Sequence, residues 1–181
     1  MENLLAMKWR LWTVADPVKV PLPGNSTQDC ASALLAIHGA LHDGTMSQCY
    51  SGPLIDATIR SWKVPMGQRY ASARAIAHVD ANGVTGDFTD EHDPPISLYR
   101  DIIRFDRDLP FDRLIGYLGE MKITKVTEDE NNCLTRLGIQ RPPNGYELCT
   151  IVRRPLAEYK TALATARKRR KAARHQQQGK R

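Results

Sequence analysis

Cys133-Leu-Thr-Arg-Leu-Gly-Ile-Gln-Arg-Pro-Pro-Asn-Gly-Tyr-Glu-Leu-Cys-Thr-Ile-Val152 joins an apolar lead-in to a basic loop and then to an alternating segment. Gly138 and Gly145 can adopt positive φ and let another backbone come close. Pro142 and Pro143 stiffen the connection between them. Arg136 and Arg141 carry planar guanidinium forks that match phosphate oxygens. Asn144-Gly145 signals a turn, and Tyr146 to Val152 alternates as a strand does, so the segment is expected to fix the exit of a loop able to hold a phosphodiester chain.

Outward from this stretch, Met7 to Val20 reads as a first strand, with Met7, Trp9 and Leu11 alternating against Lys8 and Arg10. Ser26 followed by Asp29 starts a helix that runs to about His42, where Gly44 ends it. Pro53 to Arg60 opens a segment of its own. Tyr70 to Val79 reads as a strand with a small-residue face, a short helix competing because alanine is a poor strand former. Asp87 to Pro95 reads as an acidic loop and Leu98 to Arg113 matches no element. Leu114 to Leu118 reads as a short strand, and Ile123 to Leu137 as a short helix or irregular lead-in. The order strand, helix, strand, strand, helix, strand is that of a split βαβ domain, which makes the expected fold α+β and ferredoxin-like over residues 1–155, with insertions. Leu156, Tyr159, Leu163 and Ala166 then recur at helical spacing, so residues 156–181 are expected to dock by one stripe and fray into a basic arm beyond about His175.

Charge is distributed unevenly over the 181 residues. From Ile151 onward stand 11 of the 26 Lys and Arg but one of the 20 acids, so residues 1–150 hold 15 bases against 19 acids. The pI near 9.3 is therefore a property of the tail, where Arg167, Lys168, Arg169, Arg170 and Lys171 form a nucleic-acid-binding run. No stretch of 18 apolar residues provides a membrane span, and the N-terminus has no secretory pattern, so a cytoplasmic protein without membrane contact is expected. Cys30, Cys49, Cys133 and Cys149 include no CxxC pair, and in that compartment buried thiols are expected in place of disulfides.

Catalytic constellations are weak. His38 and His42 lie four apart on one helix with Cys30 and Cys49 nearby, but a four-ligand zinc site would require distant groups to converge, so no metal is expected. Asp90-Glu91-His92-Asp93 carries enough acid for a divalent-ion nuclease, yet sits in a loop that would not fix it. Gly-x-Ser-x-Gly, the dinucleotide glycine fingerprint and the P-loop are absent, so neither an enzyme nor a cofactor is expected. Trp62, Arg69, Tyr70 and Arg74 form a second nucleic-acid set, since aromatic faces among guanidiniums suit stacked bases and phosphates.

The strand of Met7 to Val20, the Leu- and Ala-rich helix behind it, Pro53-Leu54 followed by Trp62 and Ala71-Ser72, and the loop from Leu137-Gly138 to Gly145-Tyr146 resemble a known family. It is the small RNA-handle-binding subunit of type IV CRISPR effector complexes, of the repeat-associated mysterious protein superfamily. The resemblance spans about residues 5–155. It implies an RNA-recognition-motif-like fold without catalysis, serving antiviral defence within a ribonucleoprotein complex. The subunit would cap the guide-RNA 5′ handle and bridge neighbouring effector subunits, with Arg136, Gly138, Arg141, Asn144, Gly145 and Tyr146 on the RNA; the tail lies outside the resemblance, and its charge makes target DNA a further expected partner. The alternative is a DNA-binding accessory or regulatory protein of a mobile element that uses the tail on phosphates.

Overall fold

The computed structural model describes residues 26–83, 86, 88–138 and 142–178; the strand expected at Met7 to Val20 lies outside them. The fold is α+β, with eight α-helices and a four-stranded mixed sheet among the described residues. The chain divides into two compact units, one of residues up to Lys63 with Tyr99–Gly119, the other of Val64–Leu98 with Glu120 onward.

Among the described residues the first unit is helical. Helix α1 (Thr27–His42) begins with a full capping box, Ser26 Oγ accepting from Asp29 N–H while the Asp29 carboxylate accepts from Ser26 N–H, as the Ser-x-x-Asp spacing requires. It packs on α2 (Gln48–Ser61) and buries Ala33, Leu34 and Ile37. Helix α4 (Ile96–Phe105) occupies the stretch without an expected element, and α5 (Phe111–Glu120) replaces the strand expected at Leu114–Leu118. Leu114 and Leu118 are both fully buried. Four apart, they share one face of a helix as they would share one face of a strand, so their spacing alone does not separate the two forms.

The second unit is built on the sheet. Strand β1 (Arg69–Ser72) stops where Ser72 Oγ accepts from Ala75 N–H and starts α3 (Ala73–Asn82), so the expected strand to Val79 is only four residues long and its alanines are helical. The acidic segment is no loop: Phe88–Asp93 forms β2, paired along its whole length with β3 (Lys122–Thr127). Thr127 and Glu130 make a second capping box and open α6 (Glu128–Arg136). A single helical turn, α7 (Gly145–Leu148), and β4 (Arg153–Pro155) precede α8 (Leu156–Gln178).

The sheet order is β2-β3-β1-β4, with β1 parallel to β3 and both edge strands antiparallel to their neighbours. Strands β1 and β2, joined by α3, therefore run in opposite directions. Register puts Ala71 and Lys125 on one face, and Thr124 and Val126 on the other. On the first face Ala71 packs with Ala75 and Val79 of α3 and with Leu156, Tyr159 and Ala166 of α8; the small alanines let two helices lie close to the strand. On the second, Val126 packs with Leu134, Tyr146, Cys149 and Ile151.

Two further expectations fail at the quoted stretch. Tyr146 to Val152 is a turn and not a strand: Cys149 N–H donates to Gly145 O at 3.1 Å, Thr150 N–H to Glu147 O at 2.8 Å and Ile151 N–H to Tyr146 O at 2.8 Å, so its backbone groups are satisfied locally. Cys133 and Cys149, expected as free thiols, form a disulfide with Cα atoms 5.8 Å apart, tying α6 to this turn. Cys30 is a buried thiol, its pKa pushed up to about 12 by burial, whereas Cys49 is exposed.

Candidate nucleic-acid interface

Helix α8 has 23 residues, which gives a rod of about 34 Å at 1.5 Å per residue. Its first half is anchored by Leu156, Tyr159 and Ala166, with Leu163 half-buried beside them, on the stripe that the sequence indicates. Beyond Ala166 the apolar stripe ends and the helix continues, exposed, through Arg167, Lys168, Arg169, Arg170, Lys171 and Arg174. The expected fraying arm is thus helical to Gln178. Arg167, Arg170, Lys171 and Arg174, spaced i, i+3, i+4 and i+7, share one face and border a pocket of about 330 Å³. Like charges at these spacings repel by about 0.2–0.5 kcal/mol per pair. A polyanion laid along the face removes that cost. Arg169 points elsewhere, its Nη1 lying 3.0 Å from Asp80 Oδ1 and 3.3 Å from Asp80 O at the end of α3. That pair is exposed and contributes little.

The loop keeps part of its expected character. Arg136, the last residue of α6, and Asn144, before α7, are exposed. Gly138 has φ +84°, a conformation that favours glycine, and a side chain there would meet nothing within 4 Å. Among the described residues its requirement is conformational. Arg141 lies outside the described residues. Gly145 is buried as the first residue of a helical turn, its N–H donating to Pro142 O at 2.8 Å, so positive φ is not its role. Tyr146 is 6% exposed and cannot offer its ring to a base.

In the second expected set, Trp62 is buried at 4% exposure, its Nε1 without a hydrogen-bond partner among the described residues. Arg69 lies 3.7 Å from Asp90 across the sheet, and Arg74 is exposed in the first turn of α3. The aromatic-guanidinium surface expected from Trp62, Arg69, Tyr70 and Arg74 is therefore not formed by the Trp62 ring, which belongs to the interior.

The acidic segment is neutralised by the sheet. Asp90 accepts from Lys125 Nζ at 2.7 Å, and Asp93 pairs with Arg153 on the other face. Among the described residues no group of three or more His, Cys, Asp or Glu stands ready to hold a metal ion. The His38 and His42 rings lie tilted at 54° with centroids 4.4 Å apart, and His38 Nε2 donates to Asp106 O at 2.7 Å.

Sequence reasoning missed Arg153. Its guanidinium lies 3.7 Å from the Tyr146 ring centroid, its Nε donates to Thr124 Oγ1 at 3.0 Å, and it pairs with Asp93. Burial opposes its charge, but the hydrogen bonds with Asp93 and Tyr146 outweigh burial and hold its pKa above the ordinary value. Glu130 was missed too. It is 2% exposed, and its Oε2 accepts from Ser72 Oγ at 2.6 Å and from Thr127 N–H at 2.9 Å, which locks the starts of α3 and α6 together. Nothing local marks Arg153, whose partners Thr124 and Asp93 lie 29 and 60 residues away; the Thr-x-x-Glu spacing marks Glu130 as a capping residue, but not its bond to Ser72, 58 residues away.

Comparison with protein-family models, with curated proteins and with solved structures returns no match. No helix among the described residues is long and apolar enough to cross a membrane.

Proposed function

We propose that this chain is a nucleic-acid-binding protein that engages phosphates through the C-terminal half of α8. The observation that carries the reading is the arrangement of Arg167, Arg170, Lys171 and Arg174 on one exposed face of a helix whose other half is anchored in the core. Anchoring fixes the cations in space before a ligand arrives, which lowers the ordering cost of binding. Counterion release from the nucleic acid then supplies the affinity.

Within that class, the sequence resemblance makes the chain a non-catalytic RNA-binding subunit of a CRISPR effector ribonucleoprotein, capping the guide-RNA 5′ handle and bridging other effector subunits. Exposed Arg136 and Asn144 on either side of Gly138 support this reading. The strand order supports a ferredoxin-like domain, with helices following β1 and β3. The direction of the strands departs from it: two split βαβ units would run β1 parallel to β2, and here these two are antiparallel. Burial of Tyr146 and of Trp62 removes two of its RNA contacts. The second reading is a DNA-binding accessory protein, favoured by the long basic helix, the form of element that lies in a major groove.

Purifying the full chain from its own cells, with and without nuclease, and sequencing what accompanies it tests both. A uniform short RNA supports the effector-subunit reading and heterogeneous duplex DNA supports the accessory reading. Protein free of nucleic acid at low salt, with no binding to added RNA or DNA, contradicts both.

A further inference from the structure

The helical unit carries an arginine held in place without an ion-pair partner among the described residues. Arg100 and Arg104 are one turn apart on α4, and Asp56 and Gly52 one turn apart on α2. Arg100 meets Asp56 in a two-pronged ion pair at 2.6 and 2.5 Å. Among the described residues Arg104, one turn on, meets Gly52 and no carboxylate: a Cβ on Gly52 would lie 2.7 Å from Arg104 Nη2. The guanidinium is seated by neutral acceptors only, its Nε donating to Ser51 Oγ at 3.2 Å and its Nη2 to Gln48 O at 3.0 Å. Among the described residues its Nη1 meets no acceptor, so the group is oriented and its charge is uncompensated.

Arg104 lines a pocket of about 310 Å³ together with Leu41, His42, Gln48, Phe105 and Arg107. Phe105 is 69% exposed, the highest exposure among the large apolar side chains of the described residues. An exposed ring beside guanidiniums is the pairing that takes a base on its face and a phosphate on its charges. Asp106 is paired with Arg113 at 2.7 Å and the Asp43 carboxylate accepts from the Thr45 hydroxyl at 2.7 Å, and no acidic residue lines the pocket among the described residues.

We propose that this pocket is a second, single-stranded nucleic-acid contact, in which Arg104 and Arg107 hold a phosphate and Phe105 stacks on the adjoining base. It belongs to the helical unit and is independent of α8. Its ligand class is a nucleotide unit with an accessible base, since a paired base has no free face to offer Phe105.

The test uses the full chain carrying Gln at 167, 170, 171 and 174, so that α8 does not mask the site, and fluorescein-labelled single-stranded hexathymidylate as the probe. Binding should persist in this background. It should weaken by about tenfold with Arg104→Gln, the scale of one charge-assisted contact, and also with Arg107→Gln, a surface change that leaves the fold alone. Phe105→Ala should weaken the oligonucleotide while leaving competition by inorganic phosphate unchanged. No binding in the α8-neutralised background, or affinity unchanged from that background in all three variants, would overturn the proposal. Competition by inorganic phosphate as strong as by unlabelled hexathymidylate would reduce the pocket to a plain anion site and overturn the assignment to nucleotides. Failure of the α8 reading shows separately, as equal nucleic-acid binding by the wild type and by the variant with Gln at 167, 170, 171 and 174.

Discussion

Thr150 and Gly138 occupy the same region of backbone space for opposite sequence reasons. Thr150 is a β-branched residue at φ +53°, in the turn that Cys149 closes, whereas Gly138 at φ +84° follows α6. A left-handed conformation costs a side-chain-bearing residue about 1–2 kcal/mol. Thr150→Gly should therefore raise stability and Gly138→Ala lower it, each by about 1 kcal/mol in urea melts; among the described residues a Cβ at Gly138 meets nothing within 4 Å, so the glycine change reports backbone strain there. A destabilised Thr150→Gly variant would show that the threonine side chain contributes more than its backbone costs. Glycine in the sequence announced Gly138; a threonine announces nothing, so the strain at Thr150 was not legible.

At the scale of elements, what could be read was what is decided locally. Helix α1 followed from Ser26, Asp29 and a broad apolar face, and the docking of α8 from Leu156, Tyr159 and Ala166, all within a few turns. Strand β2 could not be read, because Asp90 and Asp93 depend on Lys125 and Arg153, which lie 35 and 60 residues away. Taken without those partners, its acids describe a solvated loop. The candidate site divides in the same way: the basic face of α8 was visible as a run, and the seat of Arg104 needed the packing of α4 on α2. Leu156→Ala should cost about 2–4 kcal/mol by cavity formation, measured by denaturant unfolding, since Leu156 is 7% exposed against Ala71 and Ala75. A change under about 0.5 kcal/mol, within what surface substitutions cause, would mean that α8 is not anchored. Asp29 gives α1 a pH dependence. Its carboxyl is held below the ordinary value by hydrogen bonds from the Ser26 hydroxyl and backbone, so its contribution is present above the unfolded pKa and is lost as pH falls through the folded one. Amide exchange in the first turn of α1 should quicken below about pH 4. Asp29→Asn should remove that pH step, and a step that survives the substitution would place its cause elsewhere.

For the whole molecule, the decisive quantity is where the charge sits. The chain up to residue 150 is net acidic, and the excess of bases gathers after Ile151. Within that segment Arg153 and Arg169 are engaged by Asp93 and Asp80, while the face of Arg167, Arg170, Lys171 and Arg174 is presented outward. Affinity for nucleic acid should therefore depend on this face, and should fall as salt rises. The most direct test is the salt dependence of binding to a single strand of about 20 nucleotides and to the matching duplex, long enough for the four cations to meet phosphates, for wild type and for the variant with Gln at 167, 170, 171 and 174. The wild-type slope of log K against log salt should be steep for at least one of the two ligands. For that ligand the variant's slope should be shallower by about 3, from roughly 0.9 for each duplex phosphate, or roughly 0.7 for each single-strand phosphate, that the four cations neutralise. Equal slopes for the two proteins would contradict the assignment of phosphate binding to α8.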